Sequence, residues 1–250
     1  MQSLEDELER ARALDVGELA DAVETIGFEC TRCGACCRSE ADDPHTATVF
    51  PDEVRRLQAA GAAGASAGGD TGDTDADARD WRDVARPMPY GLTEDDDGPE
   101  GETFEWALQT DSCGDCAFYR EDDDGVGACG VHADRPLICE TYPFSVDLGG
   151  TSQPMGAVVD GVALGPQDDT GELGDAEETV RAHECEGLGR DIDRADAESL
   201  AAALKERVVR ELEEAIGVRD AYEPVTADPG AVVVHDSEGA KRPDGSEVDE

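Results

Sequence analysis

The sequence predicts an α+β fold: a small irregular domain of short strands, flanked by N- and C-terminal helices and interrupted by acidic loop insertions. Three observations predict it. Apolar residues recur at helical spacing mainly towards the two ends of the chain. Between them, short apolar runs are separated by stretches of Asp, Glu, Gly and Ala with little to bury. Nine cysteines are concentrated in two blocks and a later single position, so bonds through sulfur can staple what a small core cannot hold.

The elements follow in order. Ser3 is placed to cap a helix running to about Thr25, with Asp6 at its third position and Leu4, Leu8, Leu14, Leu19, Val23 and Ile26 on apolar positions. Gly27 ends it, and Phe28 leads into the first cysteine block. Thr46 to Phe50 reads as a short strand. Pro51-Asp52-Glu53 is a helix first turn, with the helix reaching about Ala60. Residues 61–80 carry almost no large apolar side chain and read as a flexible insertion. Asp73, Asp75 and Asp77 copy the start of a calcium loop, but Ala78 stands where glycine is needed and Val84 where the last ligand belongs.

Glu94 to Glu102 is a second acidic loop. Phe104, Trp106 and Leu108 then alternate as a half-buried strand. Tyr142 to Leu148 reads as a strand, Gly149-Gly150 as a two-residue turn and Thr151 to Val159 as the returning strand of a hairpin. Residues 166–179 form another acidic loop. A helix is expected from about Ala195 to Ile216, with Leu200, Leu204, Val208, Leu212 and Ile216 at i,i+4 spacing and Gly217 as its stop. The domain organisation is then a cysteine-cluster domain over 1–219, with its motif core at 28–190, followed by an acidic, largely disordered tail over 220–250.

Charge narrows the function classes. The 250 residues hold 62 acids against 20 bases, a formal net charge of −42. Lys205 and Lys241 are the lysines; the other bases are arginine. Such self-repulsion opposes compaction unless counterions screen it, and molar salt shortens the screening length to about 3 Å. The composition resembles that of cytoplasmic proteins from salt-accumulating halophiles. It argues against nucleic acid or anionic lipid as a partner, because both demand local cations. Met1 to Arg10 lack an apolar signal core, and no run approaches the ~20 apolar residues of a membrane span. A cytoplasmic, reducing location is expected, where dense cysteine holds metal more readily than it forms disulfides.

The cysteines carry the chemistry. Cys30-Thr31-Arg32-Cys33-Gly34-Ala35-Cys36-Cys37 places four thiols in eight residues. The Cys-x-x-Cys step lets two thiolates converge on one soft ion, and Gly34 lets the backbone turn between them. Adjacent Cys36 and Cys37 diverge, so ligands from this block and the later one are expected to combine. The later group is Cys113-x-x-Cys116, Cys129 and Cys139, with Cys185 as the ninth thiol. Cys30, Cys33 and Cys36 have the spacing of a bacterial ferredoxin run without its Cys-Pro. The metal is therefore read as zinc or iron, the latter including a 4Fe–4S cluster. Eight cysteines suit two four-ligand sites, or one site with ancillary thiols.

The run Cys30-x-x-Cys33-Gly34-x-Cys36-Cys37, then Cys116-Ala117-Phe118, Cys129, Arg135-Pro136-x-x-Cys139, Tyr142-Pro143-Phe144 and Cys185-x-Gly187, resembles the YkgJ-like cysteine-cluster family. Its domain is described as chelating zinc or iron. The resemblance spans about 28 to 190 and implies Cys30, Cys33, Cys36, Cys37, Cys116, Cys129, Cys139 and Cys185 as metal ligands. His132 departs from it, standing where the family usually has tyrosine, and Cys113 is an extra thiol. Bacterial flagellin lysine methylases share a similar cluster, but no complete S-adenosylmethionine motif is present. The resemblance implies a metal-binding protein. An iron–sulfur oxidoreductase or methyl-transfer enzyme, and a zinc-stabilised protein-interaction module, are the alternatives.

Other residues have plainer readings. Gly125-x-Gly127-x-x-Gly130 matches a dinucleotide fingerprint literally, yet it follows three aspartates rather than an apolar strand. His132 and His183 fall at ligand-like spacing but are more simply polar side chains, and His45 and His235 are expected at the surface. Arg32, Arg38 and Arg135 can offset thiolate charge or simply pair with nearby acids. Tyr142 and Phe144 would screen the cluster from water.

Overall fold

A computed structural model describes residues 3–39, 45–64, 79–95, 98–148, 156–164, 179–226 and 230–248. In chain order its first half holds α1 (Leu4–Ala13), α2 (Val16–Ile26), β1 (Thr48–Val49), α3 (Pro51–Gly64), α4 (Trp81–Val84), β2 (Ala85–Pro87), β3 (Leu92–Asp95) and β4 (Gly98–Thr103). Then come β5 (Trp106–Leu108), β6 (Tyr119–Glu121), β7 (Gly127–Cys129), α5 (Leu137–Thr141), β8 (Phe144–Asp147), β9 (Val158–Ala163) and β10 (Thr179–His183). The last are α6 (Arg194–Ala221), β11 (Val232–Asp236) and β12 (Gly239–Lys241). Helices and small, mostly antiparallel sheets make this an α+β chain. It divides into two compact units: Met1–Cys36 with Leu137–Ile216, and Cys37–Pro136 with Gly217–Glu250. Among the described residues no helix is long and apolar enough to cross a membrane. The calcium-like aspartates, the Gly149-Gly150 pair, most of the expected insertion and nearly all of the 166–179 loop lie outside the described residues.

In the first unit, Ser3 caps α1 as expected, accepting from the Asp6 amide while the Asp6 carboxylate accepts from Ser3. The single helix expected to Thr25 is two. Asp15 caps α2 by accepting from the Gly17 and Glu18 amides at 2.8 and 3.1 Å, a bonding role that its side chain cannot serve within a helix. Lys205 of α6 donates to the Leu14 carbonyl at 2.6 Å, satisfying an acceptor that the break leaves open. Leu19, Val23, Phe144, Val146, Val180, Leu204 and Val208 meet in one core. Each such fully buried side chain contributes about 1.5–3 kcal/mol.

The sheet of this unit has the order β8-β10-β9, all antiparallel. The turn and most of the returning strand of the expected hairpin, residues 149–155, lie outside the described residues. The strand beside β8 is β10, which pairs Val180 with Val146 and Ala182 with Phe144. Val180 and Ala182 are fully buried, whereas Val158 and Val159 of β9 are about half exposed. The central place goes to the strand with apolar side chains to bury. α6 also runs past its expected stop. Gly217 is inside the helix, where a Cβ would lie 2.6 Å from that of Ser237, so the glycine permits close approach rather than termination.

In the second unit, β5 is the middle strand of β1-β5-β2, and Trp106, Ala107 and Leu108 are all buried. The predicted alternation fails because a central strand is covered on both faces. Phe104 precedes the strand and is exposed. The 94–102 stretch, expected as a loop, is the β3–β4 hairpin: its backbone amides and carbonyls pair despite the acids. β4 is joined in parallel by β11 and then by β12, in a four-stranded sheet of order β12-β11-β4-β3. Residues expected to form a tail thus supply two strands, and Val233 and Val234 are buried.

Glu238 follows β11 and accepts from Arg55 and Lys241. The Arg55 hydrogen bonds, reinforced by Lys241 and opposed by partial burial, pull its carboxyl from the ordinary 4.5 down to about 2. A depressed folded-state pKa stabilises above the ordinary value, and that stability is lost as pH falls. Glu238 is 41% exposed, so solvent and salt screen the effect. Both tryptophans, Trp81 and Trp106, lie in this unit with ring centroids 5.0 Å apart. Tryptophan-followed unfolding is expected to lose stability between about pH 4.5 and 2, and Glu238→Gln to shrink that loss. Equal acid profiles for the two proteins would refute the assignment.

Candidate metal centre

All nine cysteines are thiols. In the first unit the cysteine loop leaves α2 through Phe28, whose ring packs edge-on against Phe144 at 5.8 Å. Phe28 pairs with Leu188 as an isolated bridge. The Glu29 amide donates to the Gly187 carbonyl, and the Gly189 amide to the Gly27 carbonyl, both at 3.0 Å. These bonds hold the segment entering Cys30 against the segment leaving Cys185. Gly187 is required there, since a Cβ would stand 2.3 Å from the Glu29 carbonyl oxygen. Arg32 (φ 60) and Gly34 (φ 77) turn the loop, which closes in a short 3-10 turn over Ala35–Cys37.

The electrostatics show which thiols share this region. Partial burial pushes the Cys185 thiol above its ordinary pKa. The Gly187 amide, donating to Sγ at 3.4 Å, opposes that, and the charges of Cys36, Cys33 and Cys30 push it up again. The Tyr142 hydroxyl is raised first by desolvation and then by Cys185, Cys36 and Cys33. Tyr142 donates to the Glu184 carbonyl, next to Cys185. Cys30, Cys33 and Cys36 are therefore close enough to act on Cys185, and Cys185, Cys36 and Cys33 on Tyr142. Cys139 is on α5 of the same unit, half-buried.

The second unit holds Cys37, Cys113, Cys116 and Cys129. The Cys116 amide donates to the Cys37 carbonyl at 2.8 Å, and the Ser39 amide to Asp115 at 2.7 Å. The Ser39 hydroxyl donates to the Cys113 carbonyl at 3.0 Å. Cys129 is the β-partner of Tyr119, whose amide donates to the Cys116 carbonyl. The glycine-rich stretch at 125–130 is the β6–β7 turn and strand, with the Asp122 carboxylate accepting from the Asp124 and Val126 amides. A three-residue 3-10 turn, His132–Asp134, and then the five-residue α5 follow it, so its literal dinucleotide pattern opens no long helix whose N-terminus could hold a phosphate.

The histidines stand elsewhere. His183 is buried, with Nε2 at 3.0 Å from the Ser145 hydroxyl and Nδ1 at 3.1 Å from the Gly156 carbonyl, so both nitrogens are engaged. Burial lowers its pKa, and Arg207 and Arg181 lower it further against the Gly156 bond. His132 Nε2 is 2.8 Å from Arg135. His45 and His235 are buried, against expectation. His235 is stacked on Phe104 and meets Glu102 at 3.0 Å, which shields it as a lone surface ring would not be. Arg38 donates to the Tyr119 hydroxyl and pairs with Glu121, so its charge is answered by a carboxylate.

Among the described residues, no three Cys, His, Asp or Glu side chains are grouped so that they could hold a metal ion as they stand. What the structure shows at the cysteines is backbone bonding between the segments that carry or flank them, Glu29–Gly187 and Gly189–Gly27 in the first unit and Cys116–Cys37 in the second. The donor set is sulfur throughout, which fits zinc or iron and suits calcium or magnesium poorly. A family model for the CxxCxxCC group, described as "Putative zinc- or iron-chelating domain", matches residues 29–186. No curated protein and no solved structure matches the chain.

Proposed function

The chain belongs to this zinc- or iron-chelating CxxCxxCC family, and from that premise we propose that it binds its metal through Cys30, Cys33, Cys36, Cys37, Cys116, Cys129, Cys139 and Cys185. The observation that carries the proposal is the pairing of the Cys30–Cys36 loop with the Cys185 loop. Two segments more than 140 residues apart in sequence are joined by backbone hydrogen bonds, and Cys36, Cys33 and Cys30 act electrostatically on Cys185. Bound zinc would clamp these loops; bound iron as a cluster would add one-electron chemistry. The protein residues would position sulfur, supply the Gly187 amide to Cys185 and tie the Cys185 segment to Tyr142 through the Glu184 carbonyl. Iron–sulfur binding is the second reading, favoured by three cysteines at ferredoxin-like spacing plus a remote fourth. Thiol ligands in this number suit a reducing cytoplasm.

The test is anaerobic purification in molar potassium chloride, followed by zinc, iron and acid-labile sulfide per chain. Zinc without sulfide is the expected result for a structural clamp. Iron with matching sulfide and visible absorption supports the second reading. No metal, with all thiols alkylated as fast as in urea, overturns both.

A further inference from the structure

We propose that the second unit carries a metal centre of its own, formed by Cys37, Cys116 and Cys129 with Cys113 as the fourth ligand. The chain then holds two thiolate centres, and the step from Cys36 to Cys37 divides the ligands between them. The proposal rests on the metal-binding reading above and adds a ligand, Cys113, that the family pattern does not contain.

Three observations carry it. The boundary between the two compact units falls between Cys36 and Cys37. Each unit then contains a separate pair of cysteine-bearing segments tied together by backbone bonds. In the first, residues 27–29 are tied to 187–189. In the second, residues 37–39 are tied to 113–116 by the Cys116–Cys37, Ser39–Asp115 and Ser39–Cys113 bonds. Finally, Cys129 is linked to the Cys116 segment through β6: Tyr119, its strand partner, bonds back to the Cys116 carbonyl in a tight turn. A turn of that kind keeps its end Cα atoms within about 7 Å, and strand partners lie about 4.5–5.5 Å apart. Cys113 and Cys116 have Cys-x-x-Cys spacing, the usual two-ligand unit of a tetrahedral thiolate site. Asp111 fixes that turn by accepting from the Cys113 and Asp115 amides at 2.8 and 3.1 Å.

The experiment uses the full chain, reduced and reconstituted with zinc alone in molar potassium chloride. Zinc per chain is measured after desalting for the native protein and for Cys116→Ser/Cys129→Ser and Cys33→Ser/Cys185→Ser. Two equivalents are expected in the native protein and one in each double variant. Cys113→Ser is expected to make one of the two equivalents at least tenfold easier for a competing chelator to remove. A native content of one, an unchanged content in Cys116→Ser/Cys129→Ser, or loss of both equivalents in either double variant overturns the proposal. So does Cys113→Ser behaving as native. If a variant fails to fold, alkylation mapping of the native holoprotein decides. Cys37, Cys113, Cys116 and Cys129 are expected to be protected by zinc and unprotected without it. Protection confined to the cysteines of the first unit sinks the second centre while leaving metal binding intact; protection nowhere sinks metal binding itself.

Discussion

Exchanging Asp236 for alanine is expected to destabilise the second unit by about 3–5 kcal/mol, the cost of breaking a buried ion pair from one side together with that of two buried donors left without their acceptor. Asp236 ends β11 and is 2% exposed. One of its oxygens accepts from the Trp106 indole of β5 at 2.9 Å and lies 2.9 Å from the Lys241 ammonium of β12; the other accepts from the Glu238 amide. One carboxylate thus joins the β1-β5-β2 sheet to the four-stranded sheet. Without it, Lys241 retains Glu238 and the Trp81 face, 5.5 Å away, but the indole N–H and the Glu238 amide lose their acceptor. Urea unfolding in high salt, followed by tryptophan fluorescence, measures the effect. Asp236→Asn is expected to cost less, because it can still accept from Trp106. Asp236→Leu with Lys241→Met is expected to recover much of the loss, since removing a buried pair together leaves no orphan charge. A cost below about 1 kcal/mol for Asp236→Ala would reduce this network to the value of a surface ion pair.

That network lies in the stretch over 220–250 whose polar, acidic composition predicts a largely disordered tail. Val232-Val233-Val234 is a short apolar run, but a run of three cannot announce a partner. Its partner, β4, is a Gly- and Glu-rich segment with no strand pattern of its own. Parallel pairing between them satisfies backbone groups whatever the side chains are. The same limit hides the partner of β8. The short apolar run marks β8, but the strand beside it arrives more than 30 residues later in sequence, across an acidic stretch. The end helices were legible because 3.6-residue periodicity is a local signal. Even the break between α1 and α2 left a mark, since Asp15 and Glu18 have the spacing of a capping box.

At the site, residue type was legible and grouping was not. Thiol density announced soft-metal chemistry, and spacing within Cys30–Cys37 separated it from core packing. What joins Cys30 to Cys185 is main-chain hydrogen bonding between Glu29 and Gly187 and between Gly189 and Gly27, which any side chains could accompany. Gly187 is the one trace: a glycine two residues beyond a cysteine where another backbone must come close. His45 and His235 were misplaced because burial of a polar ring depends on partners remote in sequence, such as Glu102 for His235.

Loss of the Cys185 thiolate and loss of its support are expected to weaken metal binding to different degrees, and the difference tests how the first centre is held. Cys185→Ser removes a soft ligand and is expected to cost well over 100-fold in zinc affinity, more than a supporting contact is worth. Tyr142→Phe keeps the ring but removes the hydroxyl that donates to the Glu184 carbonyl, one residue before Cys185. The segment carrying that thiol then loses one of its ties, and affinity is expected to fall about 10–100-fold, as for other groups that orient a ligand. Chelator competition measures both, and zinc content at saturation should drop only for Cys185→Ser. The thermal stability of the metal-free protein supplies the control. If Tyr142→Phe lowers it without changing affinity, Tyr142 only packs. Unchanged affinity in Cys185→Ser would remove Cys185 from the ligand set, and with it the reason for two distant loops to be tied together here.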